Sequence, residues 1–133
     1  MIPPVLALIA WTFVMWIWLY VTRIPALRRA KIDLAEVSRT GAKLDLPPKV
    51  TRVADNYNHL HEQPTLFYAV ALAAQLIGAA DSINIGLAWT YVLIRVVHSL
   101  VQATVNIIPM RFIVFVVGSA VLLILLVRTV IAL

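Results

Sequence analysis

The sequence predicts an all-α integral membrane protein that forms a four-helix bundle. Of its 133 residues, 62% are apolar and 13% are charged. The apolar residues fall in long runs, and a helix of about 20 such residues crosses a bilayer. A chain of this length fits one domain over residues 1–133. We expect helices at about 3–30, 48–80, 83–108 and 110–132, with a loop at about 31–47, from the hydropathy pattern.

The first predicted helix, at about 3–30, contains no charged side chain before Arg23. Trp11, Trp16, Trp18 and Tyr20 suit a permanent membrane helix, since aromatic residues favour the interfaces of a bilayer. A cleaved signal peptide would instead start with a basic segment and end at small residues. The helix therefore serves as a permanent span in this interpretation.

The predicted loop at about 31–47 and its flanks carry most of the positive charge. Eight of the eleven Lys and Arg residues lie between Arg23 and Arg52, whereas the turn before the third helix has Asp81 and no base. The positive-inside rule places this loop in the cytoplasm, both termini on the non-cytoplasmic side and Arg111 on the cytoplasmic side. We expect a multi-pass protein of the bacterial inner membrane. The loop charges serve topology and attraction to anionic lipid, or one arginine joins a ligand site.

The second predicted helix, at about 48–80, has a polar first half and an apolar second half. Pro48 suits the first turn, and Pro64 should kink the helix by depriving the Leu60 carbonyl of its donor. One face of about 120° collects several polar side chains of the first half. These are Arg52, Asp55, Asn56, His59 and Glu62.

The third predicted helix, at about 83–108, carries a polar stripe about 80° wide in an otherwise apolar segment. The stripe consists of Asn84, Tyr91, Arg95, His98, Gln102 and Asn106. An arginine at the bilayer centre costs at least about 2.5–3.5 kcal/mol, so the stripe should face protein, water or a ligand. The fourth helix follows Pro109 and Arg111 and is apolar except at Ser119 and Arg128. We expect Arg128 to extend to the interface.

These side chains favour an anionic, peptide-like ligand over a metal or nucleic acid. The absence of cysteine excludes disulfides, thiolate metal sites and a cysteine nucleophile. A metal held by His59, His61, His98 and Glu62 stays an alternative, but no histidine pair has the i,i+4 spacing of a helical site. Arginine binds carboxylates and glutamate binds an ammonium group. Two polar helix faces are most easily buried between subunits, which predicts a homo-oligomer.

The order of the motifs resembles the MAPEG family, the membrane-associated proteins of eicosanoid and glutathione metabolism. Arg52, Asn56, Glu62 and Pro64 resemble the head of the family's second helix. Arg95 with His98 resembles its third helix, and Pro109 with Arg111 the start of its fourth. Counted from Arg52 and Asn56, His59 takes the position of the family's acid; counted back from Pro64, Asn58 becomes the asparagine. Gln102 stands where glutathione-using members often carry tyrosine.

The resemblance implies a homotrimer that binds glutathione as co-substrate between subunits. The protein would be a membrane-bound transferase or peroxidase acting on lipophilic electrophiles from the bilayer. Arg111 would be catalytic, because a cation near a thiol favours the thiolate. The tripeptide would be positioned by Arg52, Asn56, His59, Glu62, Arg95, His98 and Gln102, with Arg28 or Arg29 closing the site. The alternative is a non-catalytic member that binds lipid or a partner in the same groove.

Overall fold

The computed structural model describes residues 1–133 and contains six α-helices and no strand. The all-α prediction is therefore confirmed. The helices are α1 (Ile2–Arg29), α2 (Leu34–Thr40), α3 (Pro48–His59), α4 (Gln63–Leu76), α5 (Ser82–Ala103) and α6 (Ile108–Ile131). Three of them, α1, α5 and α6, are long and apolar enough to cross a membrane.

The segment between α1 and α3 contains a short surface helix, α2. The Asp33 side chain caps α2 by accepting hydrogen bonds from the backbone N–H groups of Ala35 and Glu36. Gly41 ends the helix with a φ of 67°, a conformation that glycine adopts without a Cβ penalty. None of the α2 residues is buried.

The second predicted helix is broken into α3 and α4 rather than merely kinked. Pro64 offers no N–H to the Leu60 carbonyl, and its ring would clash with that carbonyl in a continuous helix. At the break, the N–H of His61 bonds to Asn58 O and that of Glu62 to His59 O, which tightens the last turn of α3. The Arg95 guanidinium from α5 also donates to His59 O, at 3.3 Å.

The main core lies where α4 meets α1, α5 and α6. Leu8, Phe67, Ala71, Tyr91 and Leu125 are fully buried there. The rings of Phe67 and Tyr91 stack with their centroids 4.6 Å apart. A smaller core joins α1, α3 and the end of α5. As a result, α3 and α4 together pack along most of the length of α1.

Helices α5 and α6 pack closely as an antiparallel pair. A Cβ placed on Gly118 of α6 would come within 3.1 Å of Ile94 Cγ2 on α5, so a larger residue there would require the Ile94 side chain to shift. Near the far end of the pair, Arg128 does not simply extend to the surface. Its Nε donates to Asn84 Oδ1 at 2.7 Å and its Nη2 to Asp81 Oδ2 at 2.9 Å.

Large apolar side chains cover the outer faces of α1 and α6. Phe13, Ile17, Phe112, Leu123 and Ile124 are all exposed in the single chain. So much exposed apolar surface does not suit contact with water but suits lipid or another protein chain. With three apolar helices of spanning length, this surface identifies an integral membrane protein.

Candidate functional site

A cleft of about 330 Å³ opens between the end of α3, the C-terminal half of α5 and the start of α6. It is lined by His59, His98, Ile108, Arg111, Phe112 and Phe115. Three of these, His59, His98 and Arg111, are residues that the sequence predicts for a site. The cleft thus combines two imidazoles and a guanidinium with an apolar wall.

His59 enters the cleft from the last turn of α3, and Glu62 holds its ring. The His59 Nδ1 lies 2.7 Å from Glu62 Oε2. The centroid of the His59 ring is 5.0 Å from that of His98 and 5.7 Å from that of Phe115. The side chain of His59 is 21% exposed and that of Glu62 is 65% exposed. The imidazole therefore borders the cleft while its carboxylate partner reaches solvent.

Arg111 is positioned by the short turn between α5 and α6. In that turn Asn106 adopts a φ of 52°, which asparagine tolerates better than most residues. The Asn106 Oδ1 accepts a hydrogen bond of 2.6 Å from Arg111 Nη1. The Nε of Arg111 is buried and makes no hydrogen bond within the chain. The turn thus fixes one edge of the guanidinium beside the cleft.

Arg95 lies next to the cleft and is almost completely buried, with 1% of its surface exposed. Beyond its bond to His59 O, its Nε and Nη1 have no hydrogen-bond partner in the chain. The buried Asn56 Oδ1 and Gln102 Oε1 are also unpaired. Buried polar groups are normally bonded. This layer therefore has spare donors and acceptors for the polar groups of a ligand or for water.

Two polar contacts beside the cleft involve residues that sequence reasoning missed. The Asn56 amide donates to Ser99 Oγ, and the Gln63 amide donates to Ser119 Oγ at 2.6 Å. The Gln63 Oε1 accepts from the Tyr91 hydroxyl at 3.3 Å. The sequence signal that could have identified Gln63 was its polar side chain directly before Pro64. Phe115 and Ser99 carried no signal that separated them from ordinary helix residues.

Other predicted site residues lie away from the cleft. Arg52 donates to the backbone carbonyl of Thr104 at 3.0 Å, and Gln102 is buried without lining the cleft. Arg28 and Arg29 are exposed at the end of α1. Asn84 belongs to the Arg128 cluster at the opposite end of α5. The residues of the polar stripe are therefore divided between the cleft region and the Arg128 cluster at the other end of α5.

A second, more apolar cavity of about 190 Å³ lies between α1 and the break region. Its lining includes Phe13, Trp16, Tyr57 and Tyr68. It contains none of the predicted site residues, and it suits an apolar group better than a polar ligand. No group of three His, Asp or Glu side chains in the chain lies close enough together to hold a metal ion.

Comparison with known proteins gives one match. The model of the MAPEG family matches residues 1–131, nearly the whole chain. No curated protein and no solved structure matches the chain.

Proposed function

Because the chain belongs to the MAPEG family, we propose that it is a membrane-bound, glutathione-dependent transferase or peroxidase that acts on lipophilic electrophiles. The family is one of membrane proteins in glutathione and eicosanoid metabolism. The observation that carries the proposal is the cleft in which His59, His98 and Arg111 meet beside the buried Arg95. Its volume of about 330 Å³ is at the small end of ligand pockets.

Arg111 is the catalytic residue in this proposal. A guanidinium stays protonated at any working pH, and a fixed cation beside a thiol favours its ionised form. Phe112 and Phe115 form the apolar side of the same cleft, where a lipophilic electrophile would meet the thiolate. The protein would then accelerate the reaction largely by holding the two reactants together.

The tripeptide would bind through the polar layer behind the cleft. The unpaired Nε and Nη1 of Arg95 suit a carboxylate, and the unpaired oxygens of Asn56 and Gln102 suit amide N–H donors. We assign binding roles to these residues together with Arg52, His59, Glu62 and His98. Arg28 and Arg29 are exposed, so they would act on the cleft of a neighbouring subunit. This arrangement needs the homotrimer that we propose.

We also propose a four-span topology for the protein. The broken pair of α3 and α4 would form one span, with α1, α5 and α6 as the other three. Both termini would lie on the non-cytoplasmic side of a bacterial inner membrane, and the basic segment with α2 would lie in the cytoplasm. The concentration of Lys and Arg between Arg23 and Arg52 supports this orientation.

Thiolate formation in the Arg111→Ala variant tests the catalytic assignment. The bound thiolate is measured by ultraviolet absorbance against pH, with the protein in detergent or nanodiscs. Loss of the cation should move the midpoint of ionisation up by about 1–3 pH units while the oligomer stays intact. Arg39→Ala, which removes an exposed cation from α2, is the control and should leave the midpoint unchanged. An unchanged midpoint in Arg111→Ala would refute the assigned role.

The alternative is a non-catalytic MAPEG-like protein that binds lipid or a partner in the intersubunit groove. The apolar cavity between α1 and the break region favours it, as does the bond that holds Arg52 to Thr104 O. Calorimetric titration with glutathione separates the two functions. Heat of binding and protection against thermal unfolding support the enzyme. No heat and no protection support the alternative.

A further inference from the structure

We propose that His59, oriented by Glu62, is the base that accepts the proton of the thiol in the cleft. The inference rests on the proposed function and adds a step to it. Arg111 stabilises the thiolate once it exists, but a permanently charged guanidinium cannot accept the proton that the thiol loses.

The contact between His59 and Glu62 is the arrangement that a catalytic imidazole requires. A carboxylate at Nδ1, 2.7 Å away, selects the tautomer in which Nδ1 carries the hydrogen. The other ring nitrogen, Nε2, is then the basic one. The His59 ring lines the cleft, and Nε2 makes no hydrogen bond within the chain. Nε2 is therefore free to meet a substrate group.

The charged and titratable groups around His59 come from two helices, α5 and α6, and from the break. Arg95 from α5 donates to its backbone carbonyl, the His98 ring lies tilted against its ring with the centroids 5.0 Å apart, and Arg111 from α6 shares its cleft. The two arginines disfavour a proton on His59. Glu62 is the carboxylate that offsets them. Without Glu62 the imidazole would be a poor proton acceptor in this setting.

The step transfers one proton and no electrons. The thiol S–H bond breaks, its electron pair stays on sulfur, and an N–H bond forms at Nε2 of His59. The imidazolium keeps its Nδ1–H bond to Glu62, and the thiolate lies beside Arg111. After the thiolate has attacked the electrophile, the Nε2 proton passes to the leaving group or to the anion formed by addition.

His98 is the competing candidate in the same cleft. It is only 3% exposed, and no side chain hydrogen-bonds to either of its ring nitrogens. No carboxylate fixes its tautomer, in contrast to His59. Glu62 acts through His59 and is a positioning residue rather than a catalytic one.

Proton release during thiolate formation tests the proposal. The protein in nanodiscs is mixed with glutathione in weak buffer, and thiolate absorbance and a pH-indicator dye are followed together near neutral pH. In the wild type the imidazolium of His59 lies between the Glu62 carboxylate and the new thiolate, and these two anions hold the proton, so clearly fewer than one proton per thiolate should reach the solvent. His59→Gln should release about one proton per thiolate and form the thiolate about 100-fold more slowly. His61→Gln, two residues along and bonded to Tyr57 O, is the matched control and should behave as the wild type.

Glu62→Gln provides a second variant, since this side chain is mostly exposed and its loss should not disturb folding. It keeps an acceptor for Nδ1 but removes the charge, so proton release should lie between the wild type and His59→Gln. Equal proton release in the wild type and His59→Gln would overturn the proposal and leave glutathione chemistry standing. So would an effect confined to His98→Gln. If the wild type forms no thiolate at all, both the proposal and the proposed function fail.

Discussion

Arg95 is unusual for a buried charged residue, because its guanidinium makes only one hydrogen bond within the chain. It bonds to His59 O at 3.3 Å, and its Nε and Nη1 remain unpaired in the core. Each unpaired buried donor costs about 1–3 kcal/mol, whereas a bond from a charged group contributes about 1.5–3 kcal/mol. The residue therefore lowers the stability of the single chain, and its spare donors are open to a ligand, to water or to a neighbouring subunit.

We predict that Arg95→Met stabilises the ligand-free protein and abolishes its response to glutathione. Methionine fills a similar volume without unpaired donors, so the free energy of unfolding should rise by about 1 kcal/mol. Thermal unfolding in detergent, with and without glutathione, measures both effects. A variant that is destabilised by several kcal/mol would mean that the guanidinium is fully bonded in the assembled protein.

Sequence reasoning at the level of single residues succeeded where helical periodicity decides the contact. His59 and Glu62 are three residues apart on one helix face, and they bond although the helix ends between them. The burial of Arg95 and His98 follows from the same periodicity. The pairs Asn56–Ser99 and Gln63–Ser119 depend on how two helices are rotated against each other. No spacing along the chain encodes that rotation.

The break between α3 and α4 is the element that decides where the cleft forms. Pro64 predicts a disturbance of the helix, but its extent depends on contacts from elsewhere in the fold. Arg95 from α5 donates to the His59 carbonyl, which also accepts from the Glu62 N–H, and these contacts stabilise an ended helix over a bent one. The predicted boundary at Pro48 coincides with the start of α3, because a first-turn proline loses no bond.

The turn between α4 and α5 is joined to the end of α6 by Asp81 and Arg128, 2.9 Å apart. The backbone N–H of Asn84, together with Arg128, holds the pKa of the Asp81 carboxyl below its usual range. A carboxyl with a lowered pKa stabilises the fold above its unfolded value, about pH 4, and loses this contribution as pH falls through the folded value.

We predict that Asp81→Asn lowers the unfolding temperature at neutral pH and that this difference shrinks as the pH falls below about 4. Asparagine can still cap α5 but cannot pair with Arg128 as a carboxylate does. Unfolding temperatures of both proteins between neutral and acidic pH give the test, with Asp55→Asn on an exposed face of α3 as the control. A difference that stays constant across this range would contradict the prediction.

For the whole molecule, we predict that cysteines placed at the two ends of the helix bundle are accessible from opposite sides of the membrane. The chain has no cysteine, so single substitutions report without background. In intact bacteria an impermeant maleimide should label Ser82→Cys, the exposed first residue of α5, and should label Lys43→Cys only after lysis. The reverse result would invert the proposed topology.

The sequence predicts least about the whole molecule, namely which surfaces meet lipid and which meet another subunit. Apolar runs predicted membrane helices, and α1, α5 and α6 confirm three of them by length and composition. The partner of the exposed face of α1 cannot be read from the sequence, because lipid and a neighbouring subunit select the same apolar side chains. The homotrimer and the roles of Arg28 and Arg29 stay predictions for the same reason.

The distribution of charge gives the molecule a property that no single contact has. Between Arg23 and Arg52 there are eight basic and three acidic residues, which accounts for the whole net charge of +5. The rest of the chain has three basic and three acidic residues and therefore no net charge. Moving one elementary charge across a membrane potential of 100 mV takes about 2.3 kcal/mol, so a molecule inserted upside down, with its five net positive charges on the other side, would be disfavoured by about 12 kcal/mol. A membrane potential would therefore favour one orientation of the protein during insertion, and without the potential this preference would be lost.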